Sequence, residues 1–158
     1  MAAVIPNIAL GRVVELVRRV DINDPATARM GWILCSGVDT DANLRDYTDL
    51  AAALAGPLNE ITNTGYARVY QEDTVVTMTA PTHASDRWDV DLPDPAFGSI
   101  LTGAVTAATR VGLVYDPNAG GGDAAMVPCG WWDYPAIFDG SAITPSVDVA
   151  GFFRASQV

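Results

Sequence analysis

The spacing of apolar residues changes along this chain, and that change constrains the fold more than any other feature. Within 11–20, Val13, Leu16, Val17 and Val20 recur at i, i+3, i+4 and i+7, with Arg12, Glu15, Arg18 and Arg19 largely on the other side. This spacing predicts an amphipathic helix, although the valines favour strand. Residues 30–36 form a short apolar run that reads as a buried strand, and 37–43 a polar loop. A second helix is predicted over 47–55, with Tyr47, Leu50, Ala51 and Leu54 on one face and Gly56-Pro57 as its stop.

Further along, the pattern shortens to β-prone runs at 66–70, 74–79, 87–92, 110–115, 125–127 and 147–153, separated by polar turns. The octet 116–123 reads as a long hairpin loop. The expected fold is therefore α+β: one β-rich domain over 1–158, with two helices in the N-terminal third. An antiparallel sheet, sandwich or barrel is made mainly by the remainder. Residues 1–8 are expected as an extended N-terminal arm and 155–158 as a short tail.

With 158 residues, one domain buries about 68–70% of the surface its unfolded chain exposes. Hydrophobic residues make up 49% and charged residues 18%, yet no run of about 18 apolar residues is present to span a membrane. Such a composition implies either a rich core or apolar surface covered by a partner. Nineteen acidic residues face nine basic ones, for a formal charge of −10. All nine bases are Arg, and the absence of Lys points to a GC-rich genome. Such an acidic surface repels a phosphate backbone, which argues against nucleic acid as a partner. It suits solubility by self-repulsion or docking on a basic patch. Residues 1–10 carry neither a basic n-region nor a long apolar stretch, so no signal peptide is expected. Synthesis in a reducing cytoplasm follows, with Cys35 and Cys129 free and buried. A pairing between them stays open.

The residues that might carry chemistry do not assemble into a site. His83 is the only histidine, and its neighbours Ser85 and Asp86 share one turn with it; a catalytic triad acts across space. One His and two distant Cys supply no zinc ligand set. The stretch Asp39-Thr40-Asp41-Ala42-Asn43 resembles the opening of a calcium loop, but Leu44 and Leu50 stand where Gly and Glu are required. Asp86, Asp89, Asp91 and Asp94 read as a solvated strand face with Trp88 and Val90 inward. The glycine-rich octet lacks the phosphate-loop pattern and any Lys. No catalytic, cofactor-binding or metal-binding residue is assigned, and no enzymatic activity or small-molecule substrate is expected.

The aromatics carry more. Trp131-Trp132 with Tyr134, and the pair Phe152-Phe153, are clustered. Adjacent strand residues point to opposite faces, so one member of each pair is expected to face outward as an interface anchor. A sugar-stacking platform is an alternative use, and burial of both members in irregular backbone is another.

The stretches GRVVELVRRVDINDPAT, DTDANLRDYTDLAAALAG, SDRWDVDLPD, VGLVYDPNAGGGDAAMVP and VAGFFRAS, in this order, span nearly the whole chain. They resemble small virion structural proteins of actinobacterial tailed phages, of the head-decoration or minor capsid kind. Trp131-Trp132 departs from the smaller or more polar residues expected there. The resemblance implies a non-enzymatic protein located in the virion, on the outer capsid surface. Its partners would be the major capsid protein and other copies of itself, with a trimer as one arrangement, and it would use no cofactor. A tail or head–tail connector component is the alternative address. A carbohydrate-binding module engaging the host surface is the alternative from another class.

Overall fold

The computed structural model describes residues 3–78, 87–146 and 153–156. Its elements in chain order are β1 (Ala3–Val4), α1 (Val13–Asp21), β2 (Arg29–Cys35), α2 (Asp41–Asp46), α3 (Leu50–Ala55) and β3 (Val69–Gln71). They continue with β4 (Thr77–Met78), β5 (Arg87–Asp91), β6 (Ala107–Asp116), β7 (Val127–Ile137) and β8 (Phe153–Ser156). The chain is a mixed α+β domain, as its periodicity implies.

Five strands form an antiparallel sheet in the order β1-β7-β6-β2-β3, and β4-β5-β8 form a smaller one. The β6–β7 hairpin dominates the large sheet. Its strands run ten and eleven residues, well beyond the short runs predicted at 110–115 and 125–127. The extension beyond 127 passes through Gly130, Pro128 and Pro135. These residues lower strand propensity locally, and pairing with β6 outweighs them. The glycine-rich octet is the hairpin's loop, as expected, followed by a short 3-10 turn at Asp123–Ala125. Gly120 and Gly122 have φ of 108° and 75°, a region that favours glycine.

Both faces of the large sheet are covered. Met30, Trp32 and Leu34 of β2 join Val111, Leu113, Tyr115 and Cys129 on one face, where Val13, Leu16, Val17 and Val20 of α1 pack together with Val76, Val90 and Leu92. Ile33 and Cys35 point to the other face, with Val114 and Trp131, beneath Leu44 of α2 and Leu50 and Ala53 of α3. The alternation along β2 follows from the period of two. A strand buried on both sides reads as a continuous apolar run, which is what 30–35 shows.

The polar loop and single helix predicted over 37–55 are replaced by two short helices. Thr40 caps α2, its Oγ1 accepting from the Asn43 amide at 3.2 Å. Asp49 caps α3, accepting from the Ala52 amide at 2.8 Å. Two good capping residues nine apart make two helix starts, and Tyr47 between them is extended.

Ala3–Val4, within the segment expected as an arm, pairs with Trp132 and Trp131, and Val4 is buried. Ala155 and Ser156, expected in the tail, belong to β8. The run predicted at 147–153 lies outside the described residues except for Phe153.

Candidate assembly surfaces

β7 sets the two tryptophans on opposite faces of the sheet, as a strand must. Trp131, enclosed by the layer over its face, is not an outward anchor, whereas Trp132 on the other face keeps part of its ring at the surface. Trp131 is 0% exposed and packs beneath α2 and α3. Trp132 is half-buried on the α1 side, its ring 6.1 Å from that of Trp32 and inclined at 44°. Trp32 in turn donates its indole N–H to Gln71 Oε1 at 2.9 Å. Tyr134 is half-buried beside the same core, and burial pushes its phenol pKa up. Phe153 is placed by its backbone, opposite Val90, and Phe152 lies outside the described residues. Trp131 therefore anchors the chain's own core, while Trp132 and Tyr134 keep part of their area at the surface.

Glycines make room for these rings. A Cβ at Gly112, the residue opposite Trp131, would sit 2.6 Å from Trp131 Cε3. One at Gly130 would lie 2.9 Å from Trp132 Cζ2, and one at Gly31 would lie 3.0 Å from Tyr70 Cε1. Each ring covers a glycine in the sheet. The pairing could have been suspected from glycines set inside apolar runs, but their partners are set by register.

The surface that sequence reasoning missed is aliphatic. Ile137 is 76% exposed, Val38 64% and Leu101 51%. Ile137 ends β7, opposite Ala107 at the start of β6. Leu101 belongs to a segment tied to that end: the Gly140 amide donates to Ile100 O at 3.1 Å, and Thr102 Oγ1 donates to Phe138 O. Val38 follows Gly37, whose carbonyl accepts from Thr109 Oγ1 at 2.7 Å. All three thus gather at one end of the β6–β7 hairpin. Beyond Trp132, β7 has no outer neighbour among the described residues. Pro135 there cannot donate to a ladder, which discourages indiscriminate edge pairing.

The charged groups near the sheet are committed to structure. Arg68 grips Glu60 through Nε and Nη2 at 2.7 and 2.5 Å, and Asp123 through Nη1 and Nη2 at 2.5 and 3.0 Å. Tyr66 adds a 2.7 Å hydrogen bond to Glu60. This clip fastens the hairpin loop to the body, and Arg68 holds the Asp123 carboxyl below its ordinary range. Asp39 is buried, which pushes its pKa up. Hydrogen bonds from Tyr47, Asn43 and the Thr40 amide outweigh that and leave it lowered. The resemblance to a calcium loop is thus a helix entry, its first carboxylate already used by protein donors. No group of three His, Cys, Asp or Glu suited to a metal occurs among the described residues. Of the second acidic group, Asp86 lies outside the described residues, as does His83, while Val90 is buried as predicted. The open depression of about 230 Å³ between Asn23, Thr27, Glu72, Asp73 and Ala119 is smaller than ordinary ligand pockets, which start near about 300 Å³.

Cys35 and Cys129 are free and buried, on opposite faces of the sheet. The sheet itself separates the two thiols, and burial pushes both up to about 12.

No family model, no curated protein and no solved structure matches this chain.

Proposed function

We propose that this chain is a non-enzymatic virion structural protein of a tailed phage, a decoration protein that binds the outer face of the major capsid lattice. The observation that supports the reading is that three exposed aliphatics, Val38, Leu101 and Ile137, sit on segments tied to the same end of the β6–β7 hairpin. Apolar side chains brought together on a surface mark a protein–protein contact. The sequence resemblance supplies the address. Mechanically, each copy buries area across joints between capsid subunits, so opening the shell must also break those contacts. An acidic protein fits the outside of a shell, away from packaged DNA.

The test is co-sedimentation of purified protein with expanded capsids of the parent phage. Near-stoichiometric binding is the expected result. No binding, together with density for the chain only in the neck or tail of intact particles, would move the assignment to a connector or tail component.

A further inference from the structure

We draw no further inference here: the strongest candidate, the two buried N–H donors without an acceptor, Arg110 Nε and Trp131 Nε1, set diagonally across the β6–β7 ladder, carries nothing because Arg110 Nη2 already meets Asp133 Oδ1 at 3.3 Å and nothing in the structure shows a ligand that reaches either donor.

Discussion

At the scale of single residues, the sheet is shaped by glycines lying under aromatic rings. A methyl group at Gly112 or Gly130 would overlap Trp131 or Trp132; Trp131 is fully enclosed, and Trp132, though half-buried, packs against Trp32. Overpacking a filled core costs about 1–3 kcal/mol. Gly112→Ala and Gly130→Ala should each lower stability by about that amount in chemical denaturation. An unchanged midpoint would show that the rings have room to shift. The cysteines make a second residue-level case. Thiols with pKa values near 12 hold almost no thiolate at neutral pH, and thiolate is the reactive form. A disulfide-exchange reagent at pH 8 should leave both unmodified in the native protein and titrate both after denaturation. Rapid native labelling of either would contradict the burial described.

At the scale of elements, the Arg68 clip joins the hairpin loop to the strip carrying Glu60. Asp123 has its folded-state pKa lowered from 3.8, first by hydrogen bonding from Arg68. A depressed carboxylate pKa contributes stability that is fully present above the unfolded value and is lost as pH falls through the folded one. The stability difference between the natural sequence and Asp123→Asn should therefore be constant near neutrality and shrink once pH falls below about 4. Urea titrations across pH 2–7 would read it, and a gap that persists at the acid end would remove the clip from the explanation. Helix α1 teaches a different lesson. Its apolar spacing pointed to a helix within 11–20 against the strand preference of its valines, and α1 spans Val13–Asp21, because a four-residue stripe at the helical period can be buried on one neighbour. Over 37–55 the same reasoning read a polar loop at 37–43 and one helix at 47–55 and so missed α2, because the decisive caps, Thr40 and Asp49, are local hydrogen bonds that a hydrophobic period does not report.

At the scale of the whole molecule, a surface that acts by contact should be separable from one that acts by stability. Ile137 is 76% exposed, and its replacement by Ser should change folding stability by no more than about 0.5 kcal/mol. Capsid binding by the same variant should fall, since truncating a contact residue costs binding rather than folding. Unchanged binding would point the lattice contact elsewhere on the surface. The candidate site was only partly legible beforehand. The strand run read from the sequence stopped at 127, so opposed side chains for Trp131 and Trp132 were only a conditional expectation; in the fold Trp131 is the core member and Trp132 keeps part of its ring at the surface. That outcome depends on the second covering layer, whose α2 and α3 come from residues some eighty positions earlier. The aliphatic end went unnoticed because Val38, Leu101 and Ile137 are isolated in sequence and share no period.

By itself, then, the sequence determined the elements whose information is local: the α1 stripe, the buried run at 30–35, the hairpin loop and the acidic surface. The tertiary structure alone decided which strands pair, which face each Trp enters, and which exposed aliphatics share an end. It also placed the two thiols on opposite sides of a sheet and α1 and the α2–α3 pair on opposite faces. The physical reason is the same in each case. Helical and strand periods are set by neighbours a few bonds apart, whereas pairing register and layer order are set by side-chain fit between segments distant along the chain, and a period of two says that neighbours diverge without saying which of them meets water.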